Sequence, residues 1–382
     1  MIKVLITEDS PVIRGYLKHI LGSDPDIEVV GMAQDGEEAI KMVQVHQPDV
    51  VTMDIHMPKM DGFEATRKIM ETHPVPIVIV SASWNPEEVD KTFRTMEAGA
   101  VAALEKPRGM GHPNANRSIK ELVQTVKLMS EVKVVRRWAK NRHLKSELSV
   151  PAQAVVPTVK TDSDIRMVAI GASTGGPLVL QTILSNLPKD FPVPILIVQH
   201  IATGFLAGLK DWLGRNSSLA VGIAENKEMA QSGHAYLAPD GFQMGIDRYG
   251  RVELNKDAPQ FSLCPSVSYL FQNVIESYGH KAVCVLCTGM GRDGAEEMKV
   301  IRSKGGITIA QDKETSIVHG MPGEAIKLGG ATFVLPSHQI AEKLVQLAMK
   351  AEPEKKETVK STFSKQRNAT RGELQEEPEH RC

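Results

Sequence analysis

Over the first 130 positions, apolar runs alternate with stretches whose apolar residues fall three and four apart. The runs are KVLIT, IEVVGMA, VVTMDI, PIVIVSAS and AVAALEKP, and helical patterns such as PVIRGYLKHILG and DGEEAIKMVQVH lie between them. Strand–helix repeats of this kind predict a doubly wound parallel sheet with right-handed crossovers. From about residue 131 to 164 the pattern dissolves: a helical, basic start gives way to a stretch rich in Pro, Ser and Thr. Alternation resumes at IRMVAIGAS and continues through VPILIVQH, AVCVLCTG, GITIAQ and ATFVLP, which predicts a second α/β domain. The last segment, AEPEKKETVKSTFSKQRNATRGELQEEPEHRC, is charged, nearly lacks large apolar residues, and is expected to be disordered. The expected organisation is a domain over 1–125, a linker over 126–164, a domain over 165–350 and a tail over 351–382.

A chain of 382 residues exceeds one hydrophobic core, in keeping with two domains. The formal net charge of −1 argues against a nucleic-acid binder that relies on a basic surface. No apolar run approaches the ~20 residues needed to cross a bilayer. The N-terminal run is short and ends at Glu8 and Asp9, unlike a signal peptide, so a cytoplasmic location is expected. Cys284 and Cys287 are spaced like a redox pair or half a zinc site. They fall in an expected strand, however, on opposite faces and with no second ligand pair nearby, so both are read as core thiols.

In a parallel sheet the C-terminal ends of the strands share one edge, where chemistry gathers. In the first domain those ends carry Glu8 and Asp9, Asp54, Ser81 and Ser83, and Lys106. Clustered carboxylates repel one another unless a cation intervenes, and hard oxygen donors suit Mg²⁺ beside a phosphate. Alone, Asp9 reads as a helix cap and Lys106-Pro107 as a turn. The combination at successive strand ends is far more specific.

Residues 1 to 125 resemble the receiver domain of two-component response regulators. The resemblance implies a flavodoxin-like fold, with Asp54 in VVTMDIHMPKMDG as the phosphoacceptor. It implies Mg²⁺ held by Asp9, Asp54 and the backbone carbonyl of His56, with Glu8 assisting through water. Lys106 would pair with the phosphoryl oxygens beside a cis bond to Pro107, and Ser81 would be the switch hydroxyl. Ala103 stands where many receivers carry an aromatic switch residue.

In the second domain, GASTGG allows a phosphate cradle, a tight turn or a nucleophilic serine. No Gly-Lys-Ser/Thr follows, which excludes a P-loop, and no acidic residue follows the second run, as a dinucleotide fold would want. Ser173, His200 and Asp293 each follow an apolar run, so three strand ends deliver a nucleophile, a proton carrier and an orienting carboxylate to one edge. The order Ser…His…Asp, with the serine on the domain's first strand, departs from the α/β-hydrolase pattern of a central serine strand. His234 and His319 are competing bases. The glycines of STGG and TGMGRDG leave main-chain N–H groups, that of Met290 among them, free to serve an oxyanion. A binding module that changes partners on phosphorylation is the alternative. A DNA-binding regulator lacks a basic recognition helix.

Residues 165 to 348 resemble the CheB methylesterase family through AIGASTGGP, VQHI, GHAYLAPDGFQM, PSVSYLFQNV, CTGMGRDGAEEM and GGITIAQDKETSIVHGMPGEA. An N-terminal receiver is part of that family's architecture. The resemblance implies a Rossmann-like methylesterase domain with Ser173 as nucleophile, His200 as base, Asp293 as its acid, and Thr174 and Met290 as oxyanion and site contacts. The implied substrates are glutamyl methyl esters on methyl-accepting chemoreceptors, with receptor glutamine deamidation as a second activity. A chemotaxis histidine kinase would supply the phosphoryl group, and the receiver at rest would cover the serine. Neither nucleic acid nor membrane insertion is implied, and the ester reaction needs no cofactor. QHI replaces the frequent QHM, and Cys264 and Gly323 stand where arginines are common, which bears on substrate preference.

Overall fold

The computed structural model describes residues 1–81, 86–109, 115–134 and 165–349, with side chains in the helix beginning at Pro86 described from residue 91 on. These belong to one compact unit, Met1–Lys350. Ser83, Cys382, the tail and most of the expected linker lie outside the described residues.

The first layer runs β1 (Ile2–Thr7), α1 (Pro11–Gly22), β2 (Ile27–Ala33), α2 (Gly36–His46), β3 (Val50–Met53), α3 (Gly62–Thr72), β4 (Ile77–Ser81), α4 (Pro86–Ala98), β5 (Ala102–Glu105) and α5 (Ala115–Ser130). Its five strands are parallel in the order β2-β1-β3-β4-β5, which is the flavodoxin-like order. Ser10, and not Asp9, caps α1: its hydroxyl accepts from Ile13 N–H, and Pro11 fills the first turn. α5 continues to Ser130, beyond the boundary expected at 125, because Val126 and Met129 complete its buried stripe. The bond from Lys106 to Pro107 is trans, against expectation; the trans form is the ordinary preference of an X–Pro bond.

The second layer runs β6 (Met167–Ala172), α6 (Gly176–Ser185), β7 (Ile195–Gln199), α7 (Leu206–Arg215), β8 (Ala220–Ile223), β9 (His234–Leu237), β10 (Gln243–Ile246), β11 (Val252–Asn255), α8 (Val267–Tyr278), β12 (Ala282–Leu286), α9 (Ala295–Ser303), β13 (Ile307–Gln311), α10 (Met321–Lys327), β14 (Phe333–Leu335) and α11 (Ser337–Ala348). Seven parallel strands follow the order β14-β13-β12-β6-β7-β9-β8, with β10 and β11 as a separate antiparallel pair. β6 is therefore first along the chain but central in the sheet. That corrects the expected contrast with a central serine strand, because a doubly wound sheet is built outward from its middle. Cys284 and Cys287 are buried in cores on opposite sides of this sheet, and burial pushes both thiols up, Cys287 to about 12. Among the described residues, no helix is long and apolar enough to cross a membrane.

The two layers meet through α4 and α7. Phe93 stacks on Trp212 (centroids 5.0 Å apart) and meets Phe205 edge-on at 6.3 Å. Glu97 Oε1 accepts from Trp212 Nε1 (3.1 Å) and Gln181 Nε2 (2.9 Å). A cavity of about 850 Å³ opens nearby, between Gly99–Val101 and Val132–Val134 of the first layer and residues 313–319 of the second.

Candidate active site

Two clusters form where the strand ends were expected to gather. In the first layer Glu8 and Asp54 are buried and Asp9 is exposed, and their carboxylate oxygens lie within 4.8 Å of one another. Lys106 Nζ stands 2.8 Å from both Glu8 Oε2 and Asp54 Oδ2. The other Asp54 oxygen accepts from Ile55 N–H. Burial raises both carboxyls, Glu8 to about 7, against the pull of Lys106. Burial alone would lower Lys106, but its hydrogen bonds to Asp54 and Glu8 prevail and raise it. Ser81 Oγ is buried without a hydrogen-bond partner among the described residues, while His56 follows β3 with an exposed side chain. Buried oxygens that disfavour their own charge, with one ammonium among them, form a donor set that a hard divalent cation fits.

In the second layer β6 ends in a tight turn. Gly175 takes a left-handed conformation (φ 77°), and Pro177 opens α6. Ser173 N–H bonds to Thr288 O, and Gly289 lies so close that an added Cβ would fall 2.6 Å from Ser173 Cβ. The Ser173 hydroxyl makes no hydrogen bond among the described residues. His200 follows β7, and its Nε2 stands 3.0 Å from Asp293 Oδ2, both side chains being largely buried.

Asp293 is held by the head of α8. Its Oδ2 accepts from Val267 N–H (2.7 Å), and its Oδ1 accepts from Ser268 N–H (3.0 Å) and Ser266 Oγ (2.9 Å). Burial on its own would raise this carboxyl. His200 and the two amides outweigh that and hold it at about 2. A carboxylate seated on a helix N-terminus stays ionised, which is what the partner of an imidazolium requires.

His234 begins β9 and so sits at the opposite edge of the sheet, stacked on Tyr236. His319 pairs through its backbone with Gly289 beside the site, but its ring rests against Ser316 Oγ and Gly323. Of the three histidines, His200 is the one set on a carboxylate. Thr174 and Met290 flank Ser173 on the two glycine loops: Thr174 O accepts from Thr288 Oγ1, and the Met290 side chain is exposed.

Residues 168–344 match the family described as CheB methylesterase, and residues 4–112 the response regulator receiver domain. A protein-glutamate methylesterase/protein-glutamine glutaminase of Nitrosospira multiformis is 55% identical over 347 residues, covering 91% of this chain and 97% of that one. The chain belongs to the CheB methylesterase family. A Geobacter metallireducens relative with the same name is 54% identical over 91% of this chain and 99% of its own. The solved Thermotoga maritima CheB methylesterase catalytic domain is 41% identical, covers 48% of this chain and 98% of its own, and has a TM-score of 0.46.

Several contacts of this CheB-family site were not foreseen in the sequence. Ser266 and the amides of Val267 and Ser268 reach Asp293 from across the fold. Gln311 Oε1 accepts from Thr288 N–H, which steadies the strand end beside Ser173. Gln199 binds the carbonyls of both Ser173 and His200. A polar residue closing an apolar run was the available signal for both glutamines.

Proposed function

We propose that this chain is a phosphorylation-gated protein-glutamate methylesterase acting in the cytoplasm on methyl-accepting chemoreceptors. The observation that carries the reading is the gathering of Ser173, His200 and the helix-held Asp293 at one sheet edge. Ser173 Oγ attacks the ester carbonyl of a methylated glutamyl side chain. With Nε2 turned toward Asp293, His200 takes the serine proton on Nδ1 and returns it to the leaving methoxide. The main-chain N–H groups of Thr174 and Met290 are assigned to the oxyanion, a contribution of about 3 kcal/mol per donor. Methanol departs, and water activated by His200 then releases glutamate from Ser173. The same sequence acting on a glutamine side chain releases ammonia, so deamidation needs no additional residue. Cys264 and Gly323, which carry no positive charge, bear on which receptor helices are preferred.

In the first layer Asp54 is assigned as the phosphoacceptor, with a chemotaxis histidine kinase as donor. Glu8, Asp9, Asp54 and the His56 carbonyl would hold Mg²⁺, which when bound neutralises the entering phosphoryl charge. Lys106, beside Asp54, would pair with a phosphoryl oxygen, and Ser81, whose hydroxyl has no hydrogen-bond partner among the described residues, would be the switch group. The packing of Phe93 and Glu97 on α7, close behind the His200 loop, supports a resting state in which this layer restrains the site. The functional division is a receiver, a linker, a catalytic domain and a tail.

The test is methanol release from methylated receptor fragments, with and without a small phosphodonor and Mg²⁺, with Ser173→Ala as control. Release that rises with phosphodonor and vanishes in the variant is the expected result. Absence of release from the folded wild type on several receptor substrates overturns the reading.

A further inference from the structure

Gln199 closes β7 on the same face as Ile195 and Ile197, and those two side chains are fully buried. An amide there is costly unless its hydrogen bonds are made. Its Nε2 donates to Ser173 O and to His200 O, both at 2.8 Å. Its Oε1 is buried with no hydrogen-bond partner among the described residues. The side chain fits only because residue 176 is glycine, since a Cβ there would overlap Oε1. Gln311 is different: its oxygen accepts from Thr288 N–H and its nitrogen donates to Thr315. Buried glutamines in this fold can thus be satisfied at both ends, yet Gln199 leaves its oxygen unpaired while both N–H groups reach the two residues that carry the chemistry.

We propose that Gln199 is a positioning residue for the ester hydrolysis, its side-chain amide clamping the backbone of Ser173 to that of His200. The inference rests on the assignment of these two residues as nucleophile and base. The ladder between β6 and β7 ends with His200 N–H on Ala172 O. Beyond it the Gln199 amide joins the Ser173 turn to the His200 loop, and this cross-link fixes their separation. Without it the serine hydroxyl and imidazole sample distances too long for proton transfer, although the substrate surface is unaltered.

Two substitutions test this in the full-length chain: Gln199→Met, which keeps the volume and loses both donors, and Gln199→Glu, which keeps the shape and replaces the donors with acceptors. Methanol release is measured for both with phosphodonor and Mg²⁺, beside thermal melting and amide hydrogen exchange of peptides spanning 172–176 and 199–203. Expected is a kcat lower by about 10- to 100-fold in both with KM within about twofold, and faster exchange confined to those peptides. Wild-type kcat in either folded variant overturns the clamp. So does a kcat that returns to wild type at a lower temperature where a destabilised variant is folded. Absence of methanol from the wild type overturns the esterase assignment, and the catalytic role of the clamp with it. Release by the wild type together with unchanged variants overturns the clamp alone.

Discussion

His200 Nε2 stands 3.0 Å from an Asp293 oxygen that also accepts from Val267 N–H at the head of α8. The carboxylate assigned as orienting acid is thus anchored to a helix before it meets the imidazole assigned as base. That divides the work: α8 holds the carboxylate charged and fixed, and in the proposed mechanism the carboxylate would select the His200 tautomer.

Asp293→Asn removes the charge and keeps the shape. A fall in kcat of at least about 100-fold near neutral pH is expected, with KM little changed, because the imidazolium formed in the transition state loses its counter-charge. Steady-state methanol release reads this directly.

The same carboxylate makes stability depend on acid. Its folded pKa is about 2 against 3.8 for a free aspartate, so the unfolded chain binds the proton first as pH falls. The contribution is full above about pH 4 and is lost as pH drops through about 2, amounting to about 2 kcal/mol. Denaturant unfolding of the wild type and Asp293→Asn should show the wild type losing stability more steeply over that window. Parallel curves would refute the assignment.

Glu97 joins the two layers by accepting from Trp212 and Gln181. Glu97→Ala should raise methanol release without phosphodonor by about fivefold, as expected for losing hydrogen bonds worth about 1 kcal/mol in the closed form alone. The fully phosphorylated rate should not move. A variant with wild-type basal rate would mean that this contact does not restrain the site.

Asp54→Asn should abolish stimulation by phosphodonor and leave the basal, Ser173-dependent rate in place. Chelating Mg²⁺ from the wild type should have the same effect. A basal rate that collapses with either treatment would tie the carboxylate cluster to the chemistry itself.

Gly289→Ala places a methyl group against Ser173 Cβ and Met321 Sδ. A loss of about 1–3 kcal/mol in stability is expected together with a fall in kcat, because the loop can yield only by shifting the Ser173 turn. Thermal melting and methanol release should fall together.

The assigned triad was legible because a buried parallel strand leaves a plain signature, and the residue just past its end has one place to go. Ser173 and His200 were readable on those terms, as were Asp54 and Lys106, whereas Asp293 lies farther on, in the glycine loop that follows β12. The short strands β8 to β11 were not, since four-residue segments such as AVGI and QMGI carry too few apolar positions to show a period. Contacts between distant segments were equally hidden: nothing local in CPSVS announces that its serines and amides hold Asp293. The centrality of β6 was missed because chain order is a poor guide to place in a doubly wound sheet. Phe93 and Glu97 looked like ordinary helix positions, and only the packing of α4 on α7 gives them a partner.

The stack of Phe93 on Trp212 gives the molecule a built-in optical gauge. While the layers are in contact the indole lies against a phenyl ring and donates its N–H to Glu97; parted, it would face water. With Trp84 and Trp138 replaced by phenylalanine, Trp212 is the sole tryptophan, and its emission should shift to the red as phosphodonor is added. Opening could then be followed in real time without an attached label, and its rate compared with the onset of methanol release.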